Sequence, residues 1–331
     1  MVDFSKVAVI GGGSWATALV KILCENNTSV GWYVRNKTIY DHLLKEAHNP
    51  HYLSGVEFDA SQLDLYTSLD EIIEHYDVLI LAVPSFFLDR TLNVLTKSIQ
   101  DNIIFSAVKG IVPEQKSLVV TYLTEKFGVP KSHLGVITGP CHAEEVALER
   151  LSFLTIASSN IKLAKQMKEK LDCDFIRTTT TDDVVGTEYA ATLKNVYAIA
   201  VGMAHGLGYG DNFISVLISS AMREMKRFIK HVDKKKRNVN KSAYLGDLLV
   251  TTYSVFSRNR MLGNMLGKGY TVKAALMEMT MVAEGYYGTK TTFELSTTFE
   301  GNYPILDCVY QVLYEKASAK KKMKALSQVL K

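Results

Sequence analysis

Lys194 stands where a helical sequence would place an apolar side chain. The stretch EYAATLKNVYAIA, residues 188–200, has apolar residues at helical spacing, and alanine or tyrosine stands three and four residues from Lys194 on either side. An ammonium group on such a face must reach solvent, find a partner, or serve chemistry as a proton donor or acceptor. The simpler interpretation, a stem packed on alanines with its head in water, stays open at this point.

A glycine-rich turn follows the first apolar run of the chain. In VAVIGGGSWATAL, residues 7–19, Gly11, Gly13 and Ala16 occupy the positions of a G-x-G-x-x-G/A pattern. The first glycine permits a tight turn, the second lets backbone approach a pyrophosphate, and a small third residue lets the helix pack on its strand. The pyrophosphate would lie at the positive N-terminus of that helix. We therefore predict a dinucleotide site.

The end of the second apolar run bears on which dinucleotide binds. The acidic residue expected there for NAD is missing, and GWYVRNK supplies Arg35 and Lys37 instead. A 2′-phosphate would be tolerated, so NADP fits at least as well as NAD. Arg35 could also be a solvated loop cation.

A second stretch rich in candidate site residues, GDLLVTTYSVFSRNR, covers residues 246–260. We expect Asp247 on a short loop, and Ser257, Arg258 and Asn259 at a junction between loop and helix. A guanidinium group matches phosphate geometry, and serine and asparagine add hydrogen-bonding groups. Taken alone, the triplet is more typical of a surface arginine beside a capping serine.

Other candidate residues follow predicted strands, where open α/β sheets bind ligands. Lys109 lies in AVKGIVP, and Gly139 and Cys141 lie in TGPCHAEEV. We expect Lys109, Lys194 and Arg258 to converge on one anionic substrate at the interface between domains. Cys141 and His142 are not interpreted as nucleophile and base, because neighbours on an extended strand point to opposite faces.

The elements that would position these residues change character along the chain. Apolar, β-rich runs alternate with helical stretches in the first half, which predicts a parallel sheet covered on both faces. The runs are VAVI (7–10), SVGWYV (29–34), DVLILAVP (77–84), NIIFSAV (102–108), LGVITGP (134–140), FLTIAS (153–158) and FIRTTT (175–180). From about residue 184 the sequence is helical, including GDLLVTTYSVF and TVKAALMEMTMVAEG. We predict an α/β domain at 1–184 and an all-α domain at 185–331.

Composition narrows the class of protein. The chain has 331 residues, 47% of them hydrophobic, which is enough for two domains with separate cores. The net charge of +4 is too small to call for a nucleic-acid partner. Four cysteines without a CxxC pair suggest reduced thiols, and no apolar run has the length of a membrane span. We expect a cytoplasmic protein with no integral membrane segment and no metal.

The lysine-rich tail, ASAKKKMKALSQVLK, has its apolar residues at helical spacing: Met323, Leu326, Val329 and Leu330. We expect an amphipathic helix that docks on the protein, with a membrane-surface role as the alternative.

Several of these motifs, taken in order, resemble those of the bacterial-type NAD(P)-dependent glycerol-3-phosphate dehydrogenases. The resemblance covers the whole chain and runs through GGGSWATAL, AVPS, AVKGI, GPCHAEEV, LKNVYAIAVG, GDLLVTTYSVFSRNRMLG and VAEGYYG. It implies a Rossmann-like parallel-sheet N-terminal domain followed by an all-α C-terminal domain. It also implies a homodimer that reversibly reduces dihydroxyacetone phosphate to sn-glycerol 3-phosphate with NADH or NADPH, for glycerophospholipid synthesis.

The resemblance also assigns roles to residues. Lys194 matches the catalytic acid/base and also contacts substrate. The other implied substrate contacts are Lys109, Gly139, Cys141, Asp247, Ser257, Arg258 and Asn259. The implied cofactor contacts are Gly11, Gly13, Ser14, Trp15, Ala16, Arg35, Lys109, Ala143, Arg258, Val282 and Glu284.

The chain departs from the family pattern at two places. Ala16 replaces a usual glycine, which the general fingerprint tolerates. Cys141 and His142 replace a usual serine and aromatic residue, and a thiol is a weak hydrogen-bonding group, so a hydroxyl contact there is in question.

Two alternatives remain. One is another two-domain dehydrogenase of the 6-phosphogluconate or β-hydroxyacid type, and the other is a nucleotide-sensing protein without turnover. The direction of the Lys194 pKa shift is also open, because its apolar helix face and Lys109 would lower the pKa whereas Asp247 and a substrate phosphate would raise it.

Overall fold

The computed structural model describes residues 4–26, 29–279 and 281–330. Its backbone contacts divide the chain into two compact units, each with its own hydrophobic core. Unit 1 comprises Met1–Val108 and Ser117–Val184, and unit 2 comprises Lys109–Lys116 and Val185–Lys331. The predicted boundary did not anticipate that Lys109–Lys116 would belong with the second unit.

Unit 1 is built on an eight-stranded sheet in the order β3-β2-β1-β4-β5-β6-β7-β8. The strands are β1 Lys6–Ile10, β2 Ser29–Tyr33, β3 Leu63–Tyr66, β4 Val78–Leu81, β5 Ile103–Ser106, β6 Leu134–Thr138, β7 Ser152–Ser158 and β8 Ile176–Thr181. The helices are α1 Ser14–Glu25, α2 Lys37–Glu46, α3 Leu69–His75, α4 Ser85–Leu92, α5 Val119–Phe127, α6 Ala143–Ala147 and α7 Ile161–Leu171. The strand order reverses direction between β1 and β4, which is the Rossmann arrangement and the usual ligand position in such sheets.

Each predicted apolar run contains a strand, and two features of the sheet were not predicted. β3 was missed because LDLY is only four residues long and contains the charged Asp64, so this half-buried edge strand is not a continuous apolar run. β7 runs antiparallel to β6, so the sheet is not wholly parallel. The connection between them carries only the five-residue α6, and the chain turns back along β6.

Unit 2 is helical. Its helices are α8 Val184–Gly206, α9 Asp211–Val232, α10 Asp247–Tyr253, α11 Arg258–Gly267, α12 Val272–Glu278, α13 Glu284–Ser296, α14 Pro304–Tyr314 and α15 Ala319–Ser327. The expectation of continuous helix through TVKAALMEMTMVAEG was wrong, since α12 ends at Glu278, Met279 is extended and α13 begins at Glu284. GDLLVTTYSVF likewise stays helical only to Tyr253.

α8 is the central helix of unit 2. Nearly every side chain from Gly186 to Ala204 is buried, as is typical of a helix enclosed on all sides. α11 packs against it at glycines, because a Cβ on Gly202 would collide with the Arg260 carbonyl oxygen and one on Gly263 with the Ile199 carbonyl oxygen. Lys194 on α8 and Arg258 at the start of α11 are thereby carried on two closely packed helices.

The tail forms α15, whose Met323 and Leu326 are buried in the unit 2 core. Val329, beyond the helix, is 55% exposed. Among the described residues, no helix combines the length and apolarity needed to cross a membrane.

Candidate active site

Lys194 forms a buried ion pair with Asp247. Lys194 is 3% exposed and Asp247 is 1% exposed, and Nζ donates to Asp247 Oδ1 over 2.5 Å. An isolated charge at this depth would be strongly unfavourable, and the pair compensates each charge with the other. The simpler interpretation, in which the Lys194 ammonium group lies in water, is therefore excluded.

Asp247 was expected on a short loop, and that expectation was wrong. A π-helical turn at Ser242–Gly246 leads directly into α10, whose first residue is Asp247. Its carbonyl oxygen accepts from the Thr251 hydroxyl over 2.6 Å, so the backbone is held as well as the carboxylate. π-Helical turns are rare and often occur at functional sites.

Asn195 is a site residue that the sequence analysis did not single out. Its Nδ2 donates to the carbonyl oxygen of Lys109 over 2.8 Å and to that of Ala191 over 3.1 Å. The contact holds the Lys109 backbone against α8, next to Lys194. Its position directly after Lys194 in LKN was the available signal.

Ser257, Arg258 and Asn259 begin α11, but their side chains do different things. The Ser257 hydroxyl caps the helix by accepting from the Arg260 N–H over 3.3 Å. Asn259 Oδ1 accepts from the Gly285 N–H over 2.8 Å. The Arg258 guanidinium lies 3.9 Å from Met281 Sδ, a weak acceptor, and within the described ranges no carboxylate pairs with it. A half-buried cation at a helix N-terminus suits an anionic ligand.

Gly285 brings three of these helices together. A Cβ at this position would lie 2.7 Å from the Asn195 carbonyl oxygen and 2.9 Å from Asn259 Oδ1. Only glycine therefore lets the start of α13 approach both α8 and α11. Val282 and Glu284, the other candidates on this segment, lie immediately before this contact and at the first position of α13.

The glycine turn of unit 1 has the form that the sequence predicts. Gly11 has φ +142°, and a Cβ there would lie 2.5 Å from the Ala82 carbonyl oxygen. Gly13 is the N-cap of α1 and has no atom within 4 Å of a Cβ position, so the space in front of it is open. The first-turn N–H groups of α1 have no acceptor within the helix. Ala16 is fully buried, as expected for the small third residue of the pattern.

The surrounding residues hold this turn rigidly. The Trp32 indole donates to the Gly11 carbonyl oxygen over 2.7 Å, and Asn49 Nδ2 donates to the Gly12 carbonyl oxygen over 3.2 Å. Ser14 is buried at the start of α1, and Trp15 follows it half-buried. The residues present thus fit a dinucleotide, with backbone N–H groups and an open glycine surface for the pyrophosphate.

The remaining unit 1 candidates lie after other strands. Arg35 is exposed after β2, where a ribose 2′-substituent would be read. Gly139 follows β6 with φ +121°, and a Cβ there would lie 2.7 Å from the Phe153 carbonyl oxygen. Cys141 is buried, and Ala143 begins α6.

The candidates therefore form two groups. Lys109, Lys194, Asp247, Ser257, Arg258, Asn259, Val282 and Glu284 lie on unit 2, and Gly11, Gly13, Ser14, Trp15, Ala16, Arg35, Gly139, Cys141 and Ala143 lie on unit 1. Across the described part of the chain, no group of three or more His, Cys, Asp or Glu side chains is arranged to hold a metal ion.

Two family models match this chain. The one described as the N-terminus of NAD-dependent glycerol-3-phosphate dehydrogenase matches residues 6–164. The one described as the C-terminus of the same enzyme matches residues 183–324.

Individual proteins are similar over nearly the whole chain. Glycerol-3-phosphate dehydrogenase (NAD(P)+) of Chlorobium limicola is 34% identical over 311 residues, 93% of this chain and 93% of that protein. The protein of the same name from Bacillus velezensis is 35% identical over 313 residues, 93% and 90% of the two chains. The crystal structure of glycerol-3-phosphate dehydrogenase from Coxiella burnetii has a TM-score of 0.89 and 29% identity, covering 97% of this chain and 98% of that one.

Proposed function

The chain belongs to the NAD-dependent glycerol-3-phosphate dehydrogenase family, and from this premise we propose which of its residues carry the reaction. The protein is an oxidoreductase that interconverts dihydroxyacetone phosphate and sn-glycerol 3-phosphate with NAD(P) as cofactor. The product supplies the backbone of glycerophospholipids. The roles below rest chiefly on the buried Lys194–Asp247 pair.

Unit 1 binds the dinucleotide. Gly11, Gly13 and the first turn of α1 receive the pyrophosphate, and the exposed Arg35 accepts either a 2′-hydroxyl or a 2′-phosphate. When bound, the nicotinamide supplies a hydride in the reductive direction and accepts one in the oxidative direction. Ser14, Trp15, Ala16 and Ala143 are the further contacts proposed on this unit, with Lys109, Arg258, Val282 and Glu284 on unit 2.

Lys194 transfers the proton. As the C2 carbonyl of dihydroxyacetone phosphate becomes an alkoxide, Lys194 Nζ donates a proton to that oxygen, and it accepts the proton in the reverse direction. Asp247 holds the ammonium group in position through the 2.5 Å contact. A protonated Lys194 also stabilises the developing negative charge electrostatically.

The substrate phosphate binds to Arg258. Its guanidinium lies at the N-terminus of α11 and has no carboxylate partner among the described residues. Lys109 adds a second cation, and Asn195 positions its backbone. Asn259 and Ser257 shape the site mainly through the Gly285 N–H and the helix cap, while Gly139 and Cys141 remain predicted substrate contacts.

We also propose that the enzyme is a cytoplasmic homodimer. The four cysteines are free, which fits a reducing compartment. Sedimentation of the purified protein at several concentrations checks the dimer, and a single species with the mass of one chain would contradict it.

Steady-state kinetics on Lys194→Ala tests the central role. With dihydroxyacetone phosphate and NADH or NADPH, we expect kcat to fall by about 10² to 10⁴-fold, the usual contribution of a positioned acid or base. The separately titrated affinity for NADH should stay unchanged. Lys226→Ala, an exposed lysine on α9, is the control and should keep full activity.

Near-normal turnover of Lys194→Ala would contradict the assignment. Circular dichroism must show a folded variant, because removing one partner of a buried pair leaves Asp247 uncompensated. A panel of 6-phosphogluconate and β-hydroxyacids should give no turnover with wild type, and preference for one of them would favour the related dehydrogenases instead.

A further inference from the structure

A large groove opens on unit 2 away from the candidate active-site residues, none of which lines it. Its volume is about 1050 Å³, the upper end of the size range of small-molecule sites. The walls come from the C-terminal ends of α8 and α11, from α12 and α13, and from the turn between α14 and α15. The proposed reaction gives this groove no role.

The floor of the groove is aliphatic and aromatic. Leu266, Val312 and Leu313 are almost fully buried beneath it, and Leu207, Val272 and Leu276 line the sides. Met277 lies at the mouth and is 77% exposed. A groove lined by so many apolar side chains favours a ligand with a hydrocarbon chain.

Two tyrosines form a preorganised wall. The Tyr314 hydroxyl donates to the Tyr286 carbonyl oxygen over 2.5 Å, and the two rings stack with centroids 5.2 Å apart. Because these side chains already contact each other, little ordering is needed when a ligand binds.

The rim of the groove is cationic. Four exposed lysines line it, Lys268, Lys273, Lys316 and Lys320, and no aspartate or glutamate is found among the described residues of its lining. Within the described ranges, none of these four ammonium groups forms an ion pair with a carboxylate. Like charges held around an apolar floor favour an anionic ligand head.

Other occupants fit less well. Among the described residues of the lining, Thr271 and Ser318 are the only hydroxyl-bearing aliphatic side chains, and both cap helices by accepting from the Ala274 and Lys321 N–H groups. Few groups therefore remain to recognise a base or sugar. A second copy docking symmetrically would bring the two lysine rims together at a cost.

We propose that this groove binds one molecule of a medium-chain carboxylate, with the hydrocarbon on the floor and the carboxylate among the four lysines. The ligand chemistry is an anionic head on an aliphatic chain, so neither a short anion nor an uncharged chain satisfies both halves of the site.

Isothermal titration of the full-length protein with decanoate below its micelle concentration tests the proposal. We expect one site per chain, no measurable binding of acetate, and binding of decanol weaker by about fivefold or more, since each exposed charge contact contributes modestly. Decanoate binding should weaken as salt increases.

Variants locate the site. Lys273→Gln with Lys320→Gln should weaken decanoate binding by about fivefold or more, given two lost charge contacts. Lys321→Gln with Lys324→Gln is the matched control, because both lysines are exposed on α15 outside the groove. Leu276→Asp, which places a carboxylate on the wall, should abolish binding while the circular dichroism spectrum and Tm show a folded protein.

Several results would overturn the proposal. They are equal weakening by the control pair, equal affinity for decanol and decanoate, and no binding of decanoate by wild type. Binding only to phosphatidylglycerol vesicles, without binding of monomeric decanoate, would assign the lysines to a membrane surface instead. Self-association abolished by Leu276→Asp would assign the groove to a second copy.

Discussion

Lys194 and Asp247 bury opposite charges inside the helical unit 2. Replacing such a pair with well-packed apolar residues often leaves a protein equally stable or more stable, so stability alone gives little reason for it. Its placement on α8, beside the Asn195 contact to Lys109, agrees with use in chemistry. At the residue scale, the sequence identified Lys194 as a candidate, but only the structure showed that its ion-pair partner Asp247 is buried.

Arg258 should determine the preference for a phosphorylated substrate. We expect Arg258→Gln to lower kcat/KM for dihydroxyacetone phosphate by about 10 to 150-fold, the loss of one charged hydrogen-bonding group. The rate with unphosphorylated dihydroxyacetone should fall by a much smaller factor, since only the proposed cofactor contact of Arg258 affects it. Steady-state kinetics with both ketones measures the ratio.

A charge at the other end of the same helix is the control. Lys268→Gln, just beyond α11, removes one positive charge from an exposed position and should leave the ratio unchanged. If Arg258→Gln kept the wild-type preference for the phosphate, another cation would have to bind it.

At the scale of elements, the packing of α8 on α11 depends on Gly263. A Cβ there would collide with the Ile199 carbonyl oxygen, so Gly263→Ala must push the two helices apart. We expect a loss of about 1 to 3 kcal/mol in the free energy of unfolding, as for other overpacked interiors. Because α8 carries Lys194 and α11 carries Arg258, kcat/KM should fall as well.

Urea unfolding followed by circular dichroism measures this loss. Gly55→Ala is the control, since Gly55 is exposed outside any helix, no atom lies within 4 Å of its Cβ position and its φ lies outside the positive range that disfavours alanine. Equal stability of Gly263→Ala and wild type would show that the helices can separate without cost.

The start of α14 depends on Glu224 of α9. Its carboxylate accepts from the Ile305 and Leu306 N–H groups over 3.0 and 2.9 Å, which caps α14 from a neighbouring helix. Burial raises the pKa of Glu224 to about 7, although those two hydrogen bonds lower it. The nearby Asp307 raises this pKa further, and Arg227 opposes it.

This raised pKa predicts how stability depends on pH. The folded protein binds the Glu224 proton more tightly than the unfolded chain, so stability falls as pH rises from about 4.5 to about 7. Glu224→Gln should flatten that part of the Tm profile, measured from pH 5 to 8. It should lower Tm most near pH 5, because the amide nitrogen cannot accept from an N–H group, and the difference from wild type should shrink towards pH 8, where wild-type Glu224 carries a buried charge.

The exposed Glu278 provides the comparison for this profile. Glu278→Gln should reproduce the wild-type dependence of Tm on pH. An unchanged slope in Glu224→Gln would contradict the pKa assignment.

At the scale of the whole molecule, cofactor binding and folding are linked through the glycine turn of unit 1. A ligand that binds only the folded state adds about 2.7 kcal/mol at one hundred times its Kd, so NADH should raise Tm. Gly13→Asp should remove this shift, because its carboxylate would repel the pyrophosphate. Aspartate is a favourable N-cap, so Tm without NADH should stay equal or rise.

Differential scanning fluorimetry with and without NADH measures both effects. Gly13→Ser keeps a capping residue without the negative charge and should retain more of the shift. A full NADH-dependent shift in Gly13→Asp would show that the pyrophosphate does not lie at this turn.

The sequence by itself determined the class of fold, the glycine turn and the family. These depend on local patterns: apolar runs of strand length, glycines at set spacing, and ordered motifs along the whole chain. Strand β3 was missed because it is only four residues long and Asp64 interrupts its apolar residues. The antiparallel direction of β7 was not predicted, because an apolar run does not specify in which direction its strand runs.

Only the tertiary structure decided what each candidate side chain contacts. Lys194 and Asp247 are 53 residues apart in sequence, and their pairing arises from the packing of α8 with α10. The same holds for Asn195 with Lys109, and for the groove formed by the ends of several helices. Such contacts depend on distances between segments remote in sequence, which local residue patterns do not specify.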